Sequence, residues 1–323
     1  MKKILKRSVY TLLVLIILLN ILFIWQAFIF THFSEARVSK QKSWFIIQKI
    51  NRVFGKQHPR QFVVDSLTVP HQTLSIQSEG LKLAAWYLKH GGDTAKGTVL
   101  MFHGYNGSRS DLIPEATAIY KMNYNVFMID FRAHGLSQGD VCSMGYYESN
   151  DVTSAYNYIK ATGEKNIILW GGSMGAVSII KAMHDDAAIK PSKIILERSF
   201  GKMTDAVEGL VRNSMHWPAE PVATILTFWG SVEQGTWLFS LKPDKFVSAI
   251  KCPALIQWGD ADEQVSRLET EMLYNNLGSP EKKLVVYPGI GHENLLPKNP
   301  VLWNASVSNF LDASAMAQSP VNK

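Results

Sequence analysis

Ile167-Ile168-Leu169-Trp170-Gly171-Gly172-Ser173-Met174-Gly175-Ala176 decides how the rest of the chain is read. A short apolar run, suited to a strand, leads into G-x-S-x-G, and a helix-like stretch follows to His184. A serine on such a strand-to-helix turn has a strained backbone. Its neighbours two places away must therefore lack side chains. Gly171 and Gly175 meet that need. The helix start beyond Ser173 turns backbone N–H groups toward a common point, where a developing oxyanion is stabilised. By chance alone, G-x-S-x-G turns up in about one chain of this length in ten. The strand before it and the helix after it give it weight.

Outward from this turn, apolar runs alternate with helical patterns. Phe62–Val69 and Thr73–Gln77 read as early antiparallel strands. Thr98–Phe102, Val126–Phe131, Ile167–Trp170, Lys193–Leu196, Ala254–Trp258 and Lys283–Tyr287 follow as later strands. Between them lie helical stretches such as Asp151–Ala161, Arg267–Leu277 and Val301–Ala313. Unbroken apolar strands alternating with helices predict a mostly parallel α/β sheet, here of eight strands, covered on both faces. The stretch from Phe200 to Ile250 breaks the alternation. It is rich in Met203, Met215, Trp217, Phe228, Trp229, Trp237, Leu238 and Phe239, and is expected to form a helical cap at about 200–250.

A serine hydroxyl needs a base to become a nucleophile. Of nine histidines, His292 has the fitting context, a Gly-rich loop (Tyr287-Pro288-Gly289-Ile290-Gly291-His292) after the last strand. His103 and His134 sit in turns after strands, where structural roles are expected. The base needs an acid to fix its tautomer. The turn Gly259-Asp260-Ala261-Asp262-Glu263 offers three carboxylates, and Glu197 ends a strand of its own. The residues alone leave that choice open. A strand ending in His103-Gly104-Tyr105 makes the Tyr105 N–H one oxyanion donor, with the Met174 N–H as its partner.

Taken together, these motifs resemble the α/β-hydrolase superfamily over roughly residues 70–315, most of all its membrane-anchored and serine-aminopeptidase-like members. The order Ser173, acid, His292 is that of the superfamily. Its G-x-x-D-x-x-V pattern falls on Gly259, Asp262 and Val265, so the resemblance implies Asp262 as the acid. Its D-x-R-x-H-G-x-S-x-G turn falls on Asp130, Arg132, His134, Gly135, Ser137 and Gly139. Ser266 departs from the pattern, where many relatives carry proline. The resemblance implies a serine hydrolase acting through an acyl-enzyme, with no cofactor and no metal.

Val9–Phe30 carries no charge. As a helix, some 22 residues at 1.5 Å each reach about 33 Å, enough to cross a bilayer core. A secretory signal has a shorter apolar core, although Ser34-Glu35-Ala36 has the small-x-small form of a cleavage site. The reading is therefore a retained anchor at 1–30, a basic amphipathic stalk at 31–60 and a hydrolase domain at 61–318. Lys2, Lys3, Lys6 and Arg7 favour a cytoplasmic N-terminus with the catalytic domain outside. Every catalytic candidate lies beyond residue 100, so the domain is expected to act without its anchor.

The net charge of +6 is concentrated near the N-terminus, which suits anionic lipid or a solvated linker. No aromatic-interleaved basic stripe points to nucleic acid. Cys142 and Cys252 form no C-x-x-C, which gives no support to zinc or redox chemistry. The function expected is cleavage of an ester or related acyl bond in a small-molecule, lipid-like substrate. A peptidase or thioesterase would use the same residues, and a non-catalytic binding module would keep the same scaffold.

Overall fold

The computed structural model describes residues 2–38, 58–91, 95–215 and 219–313. The expected amphipathic stripe of the stalk, Trp44 to Val53, and Trp217 of the expected cap lie outside these residues. Helix α1 (Lys2–Thr31) leads into a small parallel pair, β1 (Phe33–Val38) with β2 (His58–Gln61). An eight-stranded sheet follows. Its strands are β3 (Gln72–Ser78), β4 (Leu81–Leu88), β5 (Thr98–Phe102), β6 (Asn125–Ile129), β7 (Ile167–Gly172), β8 (Lys193–Glu197), β9 (Ala254–Gly259) and β10 (Lys282–Tyr287). Their spatial order is β10-β9-β8-β7-β5-β6-β4-β3. The β3–β4 and β4–β6 pairs are antiparallel and every other pair is parallel.

The helices of the layers are α2 (Ile113–Lys121), α3 (Glu148–Ala161) and α4 (Met174–Asp185), with α7 (Arg267–Asn276) and α8 (Pro300–Asp312) further along. Strands β5, β6 and β7 are buried along their whole length, because helices cover both faces. Between β8 and β9 the chain inserts α5 (Met203–Met215) and α6 (Val222–Glu233), the cap.

One expected strand is absent. Phe62–Val69 is irregular chain, with Phe62 and Val64 exposed and the Leu67 N–H bonded to Asp65 Oδ1 at 3.2 Å. Its alternating Val63, Leu67 and Val69 pack on the core without a sheet partner, so the period-2 pattern marks packing alone. Three strands have no counterpart in the sequence reading: β1 and β2, which lie at the two ends of the stretch read as a stalk, and Leu81–Leu88, whose Ala84-Ala85 pair weakens the strand signal.

The turn after β6 shows why its motif residues are there. Asp130 is wholly buried and accepts from the Arg109 N–H (2.7 Å), the Leu136 N–H (2.8 Å) and the Arg109 guanidinium. Gly135 has φ +49, and a Cβ there would collide with the Asp130 carboxylate. Arg132 pairs with Asp151 at 2.8 Å. The Ser137 hydroxyl accepts the Ala84 N–H at 2.9 Å. His134 Nε2 accepts the Asn106 N–H at 3.2 Å, which ties this turn to the loop after β5. At position 266, where proline was the pattern, Ser266 caps α7 through a reciprocal capping box with Glu269. The two cysteines are free, Cys142 in the core and Cys252 half-buried.

Helix α1 does not stand apart from the domain. Its first two thirds are exposed, but from Asn20 onward one face packs on the cap. The Trp229 indole donates to Asn20 Oδ1 at 3.3 Å, and Phe23 packs against the cluster of Val211, Ala219 and Leu226. The Thr31 hydroxyl donates to Glu233 at 3.1 Å, and His32 faces the same carboxylate at 3.3 Å. Phe33 is buried in the main core, its ring 4.7 Å from that of His134 and 5.5 Å from that of Tyr105.

Asp130→Ala would strand the Arg109 guanidinium, only 1% exposed, without its carboxylate. Breaking a buried pair from one side costs about 3–5 kcal/mol. Denaturant unfolding of the detergent-solubilised chain should show a loss of that size. A change under about 1 kcal/mol, the scale of a surface ion pair, would contradict the account of this turn.

Candidate active site

Ser173 sits where β7 meets α4, with φ +53 and ψ −117. A non-glycine residue in this region is strained, and such strain is held only where the surroundings fix it. Here the surroundings are backbone. A Cβ on Gly171 would lie 2.5 Å from the Gly175 carbonyl carbon, and one on Gly175 would lie 2.7 Å from that of Phe102. The two glycines thus let α4 start in contact with the ends of β5 and β7. The Ser173 N–H bonds the Glu197 carbonyl at 2.8 Å, which anchors the turn to β8 as well.

The structure brings Ser173, Asp262 and His292 together from three strand ends. Ser173 Oγ is 3.0 Å from His292 Nε2, and His292 Nδ1 is 2.7 Å from Asp262 Oδ2. A carboxylate only accepts, so the imidazole proton belongs on Nδ1 and Nε2 is left to accept from the serine. The other Asp262 oxygen accepts the N–H groups of Gln264 (2.8 Å) and Val265 (2.9 Å). The Asp262 side chain has no solvent exposure and the His292 side chain only 14%.

The other acids are held elsewhere. Asp260 accepts the Gly289 N–H at 2.6 Å, and Glu263 is exposed. Glu197 lies beneath the site. Its Oε1 accepts from the Trp303 indole (2.7 Å), the Gln257 amide (2.8 Å) and the Trp170 indole (3.2 Å). Burial raises its pKa above the usual carboxylate value in spite of the nearby Arg198 charge and those three donors.

His103 and His134 are structural. His103 Nδ1 lies 2.7 Å from the Gly104 carbonyl, and its Nε2 accepts the Phe131 N–H at 3.0 Å. His134 Nδ1 lies 2.8 Å from the Arg132 carbonyl. Burial, then the neighbouring His103, pushes the His134 pKa down to about 3. Both rings therefore stay neutral and fix the loop that carries Tyr105. Among the described residues, no protein acceptor takes the N–H of Tyr105 or of Met174.

A cavity of about 540 Å³ opens over Ser173 and His292. Its walls include residues that the motifs did not signal. Ala206 and Leu210 come from α5, Arg198 and Asn294 from strand-end loops, and Phe30 from α1. The Tyr105 hydroxyl donates to the Phe30 carbonyl at 2.7 Å, so the end of α1 is bonded to the loop after β5. Phe30 is therefore part of the wall, and a chain lacking α1 would lack this wall residue, while Ser173, Asp262, His292, Tyr105 and Met174 all lie beyond residue 100. A narrow side pocket of about 50 Å³ continues between α1, α5 and α6, with Ala27, Met203, Val207 and Leu226 among its lining.

With the sheet order and these strand-end loops in place, the fold is that of the α/β hydrolases, and similarity to known proteins supports a hydrolase of that superfamily. Residues 93–237 match the family model for serine aminopeptidase, S33. The chain is 24% identical over 217 residues to the protein YqkD of Bacillus subtilis, covering 67% of this chain and 71% of that one. It is 26% identical over 247 residues to the α/β-hydrolase domain-containing protein WAV2 of Arabidopsis thaliana, covering 74% and 77%. Among solved structures, an esterase of Pyrococcus furiosus superposes with a TM-score of 0.65 at 23% identity, covering 78% of this chain and 96% of that one.

Glu115, on α2, is fully buried, and neither carboxylate oxygen bonds another residue. Burial, then the adjacent Glu197, pushes its pKa up to about 8 from an ordinary 4.5. A raised folded-state pKa contributes stability that is complete below the unfolded value and is lost as pH rises toward the folded one. The native chain should therefore lose stability between about pH 5 and 8, by up to about 1.4 kcal/mol per pH unit from this group. Glu115→Gln cannot ionise. Its stability relative to the native chain should rise across that window in denaturant titrations. Parallel pH profiles for the two proteins would refute the buried-carboxyl account.

Proposed function

We propose that the chain is a membrane-anchored serine esterase that cleaves an apolar acyl ester. The observation carrying this reading is the unbroken hydrogen-bond line from Ser173 Oγ through His292 to Asp262, at 3.0 and 2.7 Å, on the floor of the cavity. His292 Nε2 takes the serine proton as Oγ attacks the ester carbonyl, and Asp262 offsets the imidazolium charge. The N–H groups of Tyr105 and Met174 hold the oxyanion. His292 returns the proton to the leaving alcohol, which departs from the acyl-enzyme. Water, deprotonated by His292, then attacks the acyl carbon and frees Ser173. The Pyrococcus furiosus esterase, with a similar fold, supports ester over amide.

The apolar preference follows from what walls the site. Phe30 and Leu210 line the main cavity, and the side pocket beyond them is lined mainly by apolar residues, among them Ala27, Met203, Val207, Val211, Leu226 and Leu238. Helix α1 is long and apolar enough to cross a bilayer, with a mean hydropathy of 2.7. Lys2, Lys3, Lys6 and Arg7 hold its start at the headgroups. About 20 residues then fill the hydrocarbon core, which brings the far interface to about Ala27. The contacts of Asn20 and Phe23 with the cap draw α6 against the lipid, where Phe228 and Val232 are exposed. An acyl chain leaving the bilayer beside α6 meets the wall formed by Phe30 and Leu210.

Ser173→Ala should abolish labelling by a fluorophosphonate and remove ester hydrolysis, leaving at most the roughly 10³–10⁴-fold of a site without its triad. Asp262→Asn should lower kcat by up to about 10⁴, since the amide favours the wrong histidine tautomer, whereas Asp260→Asn should cost little. Undiminished labelling of Ser173→Ala would remove the nucleophile assignment. Equal losses for the two aspartates would remove that of the acid.

With the anchor retained and the catalytic domain outside the cytoplasm, the mature chain begins near Met1 and resists carbonate and high-salt extraction. N-terminal sequencing of the native protein checks this. A start at Arg37 would mean a cleaved signal and loss of Phe30 from the site.

A further inference from the structure

Among the described residues lining the cavity, Arg198 is the one lysine or arginine, and the proposed chemistry does not use it. It follows β8 directly and has φ +53, one of four cavity-lining non-glycine residues in the left-handed region, with Asn106, Met144 and Ser173. Strain of this kind persists where the fold must aim a side chain. Its N–H extends the sheet to the Gln257 carbonyl at 2.9 Å, so the backbone is fixed. The side chain is 94% buried and lines the cavity.

The guanidinium lies against the strand end that carries the nucleophile. A Cβ on Gly172 would be 2.9 Å from Arg198 Nη2, so Gly172 clears the space beside Ser173 that the guanidinium fills. Nη2 donates to Asn294 Oδ1 at 3.0 Å, while the Asn294 amide donates to the Asp111 carbonyl at 2.9 Å. Asn294 is thereby oriented to present its oxygen to Arg198. Nε has no acceptor, and among the described residues no carboxylate lies within ion-pairing distance of the guanidinium.

The carboxylates nearby are engaged or neutral. Glu197 points to its two indoles and an amide, Glu293 pairs with Lys298 at 2.8 Å, and Asp111, also in the cavity wall, accepts the Ser108 N–H at 3.1 Å. Glu115 holds its proton at neutral pH. A buried guanidinium with donors to spare is costly unless something pairs with it. Its planar fork matches a carboxylate or phosphate.

We propose that Arg198, positioned by Asn294 and Gly172, forms an anion subsite beside Ser173 that binds a carboxylate or phosphate of the substrate. This rests on the esterase reading and narrows it. The acyl chain occupies the apolar wall of Phe30 and Leu210, so the charge belongs to the alcohol part, within a few bonds of the ester. The substrate class is an acyl ester of an anionic alcohol.

The test uses the full-length chain in detergent micelles and three esters of one acyl chain: acylglycerol, acylglycerol phosphate and acyl glycolate. The wild type should show a higher kcat/KM for at least one anionic ester than for acylglycerol, and the better of the two identifies phosphate or carboxylate. In Arg198→Gln that ratio should fall roughly 10- to 100-fold, as expected for a lost hydrogen-bonded charge. Arg198→Lys should recover part of it. A wild type that does not favour either anion, or a variant that loses all three substrates in proportion, overturns the subsite.

Binding of inorganic phosphate and of acetate to the Ser173→Ala chain, followed by calorimetry, reads the subsite without catalysis. Binding of one of them that is lost in Ser173→Ala/Arg198→Gln supports it, and binding of neither overturns it. Absence of fluorophosphonate labelling in the wild type would instead strike the esterase reading, and the calorimetry would still decide on Arg198.

Discussion

The close approach of backbone to backbone at Gly171 and Gly175 is the constraint on which the site depends. It lets the chain turn from β7 into α4 with Ser173 held at φ +53. Because α4 then begins against the ends of β5 and β7, the Met174 N–H falls on the same side of the sheet as the loop carrying Tyr105. That loop is braced in turn by His134, whose ring is held by the buried turn around Asp130. With Asp262 and His292 arriving from β9 and β10, the ends of β5, β7, β9 and β10 converge on one hydroxyl, and the strain at Ser173 is distributed over contacts that no single side chain supplies.

How legible this was depended on how local each signal was. The elbow, the His103-Gly104 loop and the Asp262 turn are each contained within about ten residues, and each sits at a strand end that its own apolar run announces. Sequence reading could therefore name Ser173, His292 and Tyr105 from the residues, while the choice of Asp262 over Asp260 came from the resemblance. The structure supplies the physical difference, since Asp260 caps the Gly289 N–H and Asp262 faces the imidazole. Phe62–Val69 misled because alternation reports burial on one side, which an irregular segment also achieves. Phe30 was illegible as a wall residue, since its contact with Tyr105 spans 75 positions. Arg198 carried a faint signal as a charge placed directly after a buried strand.

The docking of α1 ties a helix long and apolar enough to cross a membrane to the site. A helix serving only as a tether would need no specific contact with the domain. Here α1 bonds the cap through Asn20 and Thr31, with His32 just past its end facing the same carboxylate as Thr31, and bonds the loop after β5 through Phe30. Phe33 then enters the main core. The cap helices α5 and α6 are thereby clamped between the sheet domain and the anchor. Their position over Ser173 is tied to the depth of α1 in whatever surrounds it.

This arrangement gives the cavity two unlike sides, and the contrast has a physical consequence. Phe30 and Leu210 offer nothing to a charge, while Arg198 is expensive to keep buried and idle. A substrate apolar throughout would leave the guanidinium uncompensated, and a small anion would leave the aromatic wall wet. Only a molecule apolar at one end and anionic near the scissile bond satisfies both sides at once. Such a molecule is an amphiphile whose charge rests at the headgroup level of a bilayer. In the proposed membrane-anchored protein, α1 presents the cavity at the depth where that amphiphile lies.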